Sequence, residues 1–355
     1  MKDELFRVSI GPKEVSTVRK LTVLSAIALF LMILPFRSEA GEVRWGDVGP
    51  TDIILFYPGA ASWEFLTSDD HRLGGRDIER VRKDCRHCHL SDAGELDLKA
   101  DEIASGTIKM KRSHSAFEPE PIPGKKGTMA AGIKAAYDKD YLYIMLEWEA
   151  KGAGWRQAKG QGSVPDRASV QLNSVDRHFA KYGCFITCHN DLNTMPGSPS
   201  KKDVAANPYY GRLERDDVRL YAFYARGPWS DGKGQAELET LLKERGRIDL
   251  RSVELEGGSA GSFDGWVFDD RRWEKGKDAG EATGSWSDGR YSVVFKVRLG
   301  SKDPFDAKVS EGEVLNAGFA IHADGAQKRK HYVSFPYSIG VGVAGADITA
   351  VKFSD

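Results

Sequence analysis

Met129-Ala130-Ala131-Gly132-Ile133-Lys134-Ala135-Ala136-Tyr137, then Asp138-Lys139-Asp140, then Tyr141-Leu142-Tyr143-Ile144-Met145-Leu146-Glu147-Trp148-Glu149 is the stretch that decides the fold class. Two runs of strand length flank a short acidic turn, and the second alternates aromatic with aliphatic residues. Alternation of this kind fits a half-buried strand, because successive side chains leave a strand on opposite faces. The stretch therefore reads as a β-hairpin. Outward from it, Ile53–Tyr57, Ser169–Asn173, Val218–Ala225, Tyr291–Leu299, Val314–His322, His331–Val341 and Ile348–Phe353 are further strand-like runs. Short strands at uneven spacing with Gly/Asp turns between them predict a mainly β chain, an antiparallel β-sandwich. Only Ala236–Arg245 has the composition of a helix, and no internal repeat of 20–50 residues is visible.

Upstream of the hairpin the character changes. Pro119, Pro121 and Pro123 run into Gly124-Lys125-Lys126-Gly127, a breaker cluster that predicts a boundary. Residues 41–124 then form a small irregular or helical segment, with Arg76–Asp84 charged and helix-compatible and Ser91–Glu120 polar. Residues 125–355 form the sandwich. Residues 1–40 stand apart from both. Arg19 and Lys20 precede the apolar run Leu21–Leu34, and Ser38-Glu39-Ala40 offers a small-x-small site before Gly41. That is the layout of a secretory signal peptide cleaved after Ala40, since a run of 14 residues falls short of the roughly 20 that span a bilayer. An uncleaved anchor is the competing reading. Export would make the protein periplasmic.

The chain is 41% hydrophobic and 29% charged, with a formal net charge of −1. Those values suit a globular protein and give no general affinity for nucleic acid or an anionic membrane.

All four cysteines fall into two short motifs. Cys85-Arg86-His87-Cys88-His89 is a C-x-x-C-H string, the attachment signal of c-type haem: two thiols bond the two vinyl groups and the adjacent histidine binds the iron. A thioredoxin-like redox pair would need a βαβ setting, and a zinc site would need partners at ribbon spacing. Neither is present. Cys184-Phe185-Ile186-Thr187-Cys188-His189 is a C-x-x-x-C-H string. Its cysteines at i and i+4 share a helical face, so haem attachment is sterically feasible. A local disulfide is the alternative. Together the motifs predict two covalently attached haems c, the second held in an insertion spanning about 175–207.

The sandwich region resembles the cytochrome c-552/DMSO reductase-like haem-binding family, the ethylbenzene dehydrogenase gamma-subunit type. The resemblance rests on Ile133-Lys134-Ala135-Ala136-Tyr137-Asp138, Tyr141-Leu142-Tyr143-Ile144, Glu147-Trp148 and Asp166-Arg167-Ala168. It continues through Gly183-Cys184, Cys188-His189, Asp324-Gly325-Ala326 and Ser334-Phe335. It covers roughly 125–355 and implies an immunoglobulin-like sandwich around one haem in a protein that conducts electrons. In the dehydrogenase subunits that haem is b-type with methionine and lysine ligands, so Cys184, Cys188 and His189 depart from the pattern and point to covalent attachment. The segment carrying Cys85–His89 looks like an additional c-type module.

A low-spin electron-transfer haem needs a ligand on its second face. For the first haem the candidates are His114, Met110 and His71, while His87 sits inside the attachment loop. For the second they are Met195 and His331, with His322 and Lys330 beside the latter and His178 near the haem edge. His89 and His189 are the proximal ligands. No hydrolase or nucleotide-binding motif is present, so an electron carrier is expected rather than an enzyme. An iron with an open position would instead make a haem enzyme or a haem sensor. The resemblance implies redox partner proteins, either a molybdenum oxidoreductase or a membrane quinol-oxidising cytochrome.

Overall fold

A computed structural model describes residues 43–57, 84–107 other than 92, 94, 97, 98 and 106, 124–186 other than 159 and 161–163, 200–206, 235–268, 271–275, 282–326 and 331–353. The hairpin is there, as β2 (Thr128–Tyr137) and β3 (Tyr141–Glu149), preceded by β1 (Thr51–Phe56). Asp138 closes its turn: Oδ1 accepts the N–H groups of Asp140 at 2.7 Å and Tyr141 at 2.6 Å, and Oδ2 accepts the Tyr143 hydroxyl at 2.9 Å. Side-chain acceptors of this kind let an aspartate build a turn from its own backbone neighbours.

The alternation in β3 has its expected consequence. Leu142, Ile144, Leu146 and Trp148 are all buried on one face. On one side they lie opposite Tyr137, Ala135, Ile133 and Ala131. On the other they lie opposite Val297, Phe295, Val293 and Tyr291 of β9 (Arg290–Arg298). The small Ala131 sits opposite Trp148, whose ring stacks on Tyr291 at 4.9 Å. Burying each of these large side chains contributes about 1.5–3 kcal/mol.

The remaining strands are β4 (Asp166–Asn173), β5 (Ile248–Glu256), β6 (Ser259–Val267), β7 (Arg271–Lys275), β8 (Ala282–Ser287), β10 (Val314–His322), β11 (Tyr332–Ser334), β12 (Tyr337–Val341) and β13 (Ile348–Lys352). They form one hydrogen-bonded sheet in the order β7-β6-β5-β4-β10-β11-β1-β2-β3-β9-β8, while β12 pairs with β10 and β13, and β13 pairs with β2. Among the described residues only the β12–β13 and β13–β2 pairings are parallel. The sheet doubles over, so that Gly284 on β8 sits against Leu255 of β5 and Ala260 of β6. The chain is mainly β, as expected, and its layers are parts of one ladder-connected sheet. That sheet also crosses the boundary expected at Gly124: β1 pairs with β2 along its whole length and with β11.

The run His331–Val341 reads as one strand but is two. Phe335-Pro336 interrupts it, because proline has no N–H to give the ladder. Ser334 repairs the gap. Its Oγ accepts the Phe319 N–H at 3.0 Å and donates to the Phe335 carbonyl at 2.6 Å.

Between β4 and β5 the described residues lie outside the sheet. The helix expected at Ala236–Arg245 is found at Gln235–Lys243. Its Leu241 and Leu242, with Phe179, cover Ile248, Leu250, Val267 and Phe268, a second small core. Asn173 joins both ends of this excursion: its Nδ2 donates to the carbonyls of Gly246 and Arg247, and its Oδ1 accepts the N–H groups of Val175 and Asp176. The helix-compatible run that ends at Asp84 lies outside the described residues up to that aspartate, and so does the run Val218–Ala225.

Candidate functional site

Cys85 begins one turn of helix, α1 (Arg86–His89). Its carbonyl accepts the N–H groups of both Cys88 and His89, at 3.2 and 3.1 Å, so both thiols and the histidine project from one turn. Cys88 is exposed, while Cys85 and His89 are half-buried. His87 turns back to Asp84, 3.2 Å from its carboxyl oxygen.

The turn is fastened to the sheet by Arg86. Its guanidinium bonds Asp84 at 2.6 Å and Asp347 at 2.8 Å, and lies 4.8 Å above the Tyr337 ring. Asp347 also accepts the N–H and hydroxyl of Ser338. Burial works to raise the Asp347 carboxyl, but hydrogen bonds from Arg86 and Ser338 outweigh it and hold the group below its ordinary range. Charge-assisted pairs of this geometry are the strong ones, and here they anchor α1 over β12 and the loop before β13.

Cys184 lies in a 3-10 turn, Gly183–Ile186, that follows helix α2 (Arg177–Tyr182). Asp176 precedes that helix and accepts the Phe179 N–H. Gly183 has φ +53°, and a Cβ on it would stand 3.2 Å from Pro336. Cys184 is buried against Gly318 in the middle of β10, where a Cβ would stand 2.7 Å from its Sγ. Glycine in a strand interior marks a close approach, and here the approaching group is a motif cysteine. Gly318→Val is expected to lower stability by about 2 kcal/mol by overpacking, read as a lower urea midpoint. An unchanged midpoint would show that Cys184 has room beside a larger residue.

The two motifs meet. The Cys85 thiol donates to the carbonyl of Lys181 at 3.4 Å, just before Gly183-Cys184. Burial pushes that thiol up to about 12, and the charge of Asp84 adds to the effect. A thioredoxin-like pair depends on the opposite, a lowered thiol. No disulfide links Cys85, Cys88 and Cys184. Among the described residues no three His, Cys, Asp or Glu side chains converge as they would on a metal ion.

Of the other expected site residues, His331 is described. Its ring stacks on His322 at 4.4 Å and 16°. His322 shares with Gly318 the alternating face of β10 on which Cys184 rests, four residues further on. Cys188, His189, Met110, His114, Met195, His71 and Lys330 lie outside the described residues, as does the side chain of His178. Arg86, Asp347, Gly318, Pro336 and Tyr337 were not singled out by the sequence. The glycine inside an otherwise apolar strand was the one available signal.

The donor set suits a covalently held haem: two thiols and an imidazole leave one turn, and a glycine cradle admits the cysteine of the second motif. Comparison with known proteins agrees. The family described as "Ethylbenzene dehydrogenase" matches residues 101–248. "Cytochrome c-552" of Stutzerimonas stutzeri is 28% identical over 314 residues, 88% of this chain and 92% of that protein. "Cytochrome c-551" of Rhodocyclus tenuis is 24% identical over 309 residues, 87% of this chain and 98% of that one. The chain is thus similar to that family over part of its length and to both cytochromes over most of it. The family match spans β2, β3 and β4 and the 3-10 turn that carries Cys184. The two relatives match across nearly their whole lengths.

Proposed function

We propose that the protein is a periplasmic dihaem c-type cytochrome that passes electrons between redox partners and transforms no substrate itself. The observation that carries this reading is the α1 turn, where Cys85, Cys88 and His89 project together from a helix clamped to the sheet. Haem, when bound, supplies a one-electron iron centre whose potential depends on its ligands and on water exclusion. Cys85 and Cys88 would hold the first group and Cys184 and Cys188 the second, with His89 and His189 beneath the irons. His114 or Met110 would close the first site, and Met195 or His331 the second. The sheet excludes water from one side of the Cys85–Cys184 region, and Arg86 fixes α1 in place.

Export would be directed by residues 1–40, with cleavage after Ala40. The partners would be redox proteins, a molybdenum oxidoreductase or a membrane quinol-oxidising cytochrome. Expression in a host able to attach c-type haem should give a mature mass with two haems added, and low-spin spectra in both oxidation states that carbon monoxide leaves unaltered. A haem-free product would overturn the reading. A high-spin component that binds carbon monoxide would turn it toward a haem enzyme or sensor.

A further inference from the structure

Arg247 stands immediately before β5, and its guanidinium lies among three rings, 4.8 Å from that of Phe305, 5.4 Å from Trp266 and 5.9 Å from Phe268. Trp266 and Phe305 themselves stack, at 5.6 Å and 24°. Rings hold a cation through their quadrupoles and leave its charge in place. The polar contacts of the group are sparse. Nη1 donates to the Pro304 carbonyl at 3.5 Å, and Nε is buried with no acceptor. Arg251, four residues on, pairs with two carboxylates, whereas Arg247 has none among the described residues. Phe305 is 37% exposed, against the tendency of a phenyl ring to bury itself. It is held there by its loop. Asp303 Oδ1 accepts the Phe305 N–H at 2.9 Å, and Ser301 Oγ accepts the Asp303 N–H at 3.1 Å and donates to Asp306. Arg245 grips the same loop through the Ser301 carbonyl. It does so from a left-handed backbone, φ +62°, just past the helix Gln235–Lys243, where glycine is the unstrained choice.

We infer that Arg247, Trp266 and Phe305 form a docking surface for an acidic protein, one that presents carboxylates beside an apolar side chain. The half-buried Arg247 pairs with a carboxylate, and the exposed Phe305 ring packs on the apolar group. Aromatic and arginine side chains carry most of the binding energy at protein interfaces, above all where they are held in place beforehand. Charge selects the kind of partner. Lys243, Arg245, Arg247 and Lys302 stand at or beside the rings, against Glu244 and Asp303, and Asp303 already gives one oxygen to the Phe305 N–H. That balance favours an acidic partner and repels a basic one. The surface is argued from its own residues and does not rest on the haem reading.

The test is fluorescence anisotropy with the full chain and a fluorescein-labelled peptide of glutamates around one leucine. Binding should saturate, and it should weaken as salt rises through about 0.1 M, where exposed charges become screened. Arg247→Ala and Phe305→Ala should each weaken it about tenfold. Lys302→Glu, an exposed change that leaves the rings alone, should weaken it about threefold. The same peptide with lysine in place of glutamate should not bind. Absence of binding, or equal binding by the parent, Phe305→Ala and Lys302→Glu, overturns the surface. Should Arg247→Ala fail to fold, the other two variants decide, since both alter exposed side chains. Sedimentation of the chain with phosphatidylglycerol vesicles, without binding of the peptide, overturns the choice of a protein as the partner. Each of these outcomes leaves the haem reading standing.

Discussion

Asp166→Ala is expected to lower the stability of the folded chain by about 4 kcal/mol. Asp166 is fully buried. Its Oδ2 accepts the Tyr291 hydroxyl at 2.6 Å and the Gly154 N–H at 3.0 Å, and its Oδ1 accepts the Asp324 N–H at 2.8 Å. One carboxyl group thus joins β4, β9, the helical turn at Ala153–Arg156 and the turn that follows β10. Truncation strands three donors in the interior, and each unmet buried donor costs about 1–3 kcal/mol. Asp166→Asn should cost about half as much, because its oxygen still accepts while its amide faces a donor. Tyr291→Phe should cost least, since it removes one donor and leaves only the Trp155 N–H, 3.2 Å from the Tyr291 hydroxyl, without its acceptor. Urea unfolding of the three variants gives the order. Asp166→Ala within 1 kcal/mol of the parent would show that water or another group takes over the carboxyl's role.

That clamp also explains part of the family resemblance. Asp166-Arg167-Ala168 and Asp324-Gly325-Ala326 both carry it, and in the fold Asp166 and Asp324 are hydrogen-bonded to each other. Their shared pattern is structural. Asp324 itself has φ +54°, a left-handed conformation that suits the turn it makes.

What the sequence showed and what it hid both follow from periodicity. β2, β3, β9, β10 and β13 bury one face and alternate cleanly, so they could be read at almost their observed bounds. β5–β8, residues 248–287, could not. β5 is buried on both faces and places Asp249 and Arg251 where a core strand ordinarily shows apolar residues. β6 opens with Ser259-Ala260-Gly261-Ser262, a string with no hydrophobic signal at all. The cysteine motifs were legible because their residues are adjacent in the sequence. Their meeting was not, because it depends on Pro336, Tyr337, Gly318 and Lys181, each brought near by the sheet rather than by the sequence.

The charges inside β5 lead to the second large effect. Arg251 is 2% exposed and its guanidinium bonds Asp249 at 3.1 Å and Asp306 at 3.2 Å, while Asp249 accepts the Ala307 N–H. Asp264, opposite Arg251 on β6, joins them, so three carboxyl groups face one guanidinium. Asp249→Ala removes the closest partner of a buried cation and should cost about 3–5 kcal/mol, whereas Asp249→Leu/Arg251→Met, which removes both charges, should return most of that loss. If the double variant is as unstable as the single one, the site depends on shape and not on charge. The same pocket sets a pH dependence. Burial, then the charge of Asp249, raises Asp264 to about 6 from 3.8. A raised carboxyl favours the folded state fully below its unfolded value and loses that contribution as pH climbs through its folded value. Stability should therefore fall between about pH 4 and pH 6 on account of Asp264. Fully dry, the loss would be about 3 kcal/mol, and solvent at this part-exposed group reduces it to about 1–2 kcal/mol. Asp264→Asn should flatten that segment of the stability profile and raise the neutral-pH urea midpoint. A profile that keeps its slope in the variant would place the titrating group elsewhere.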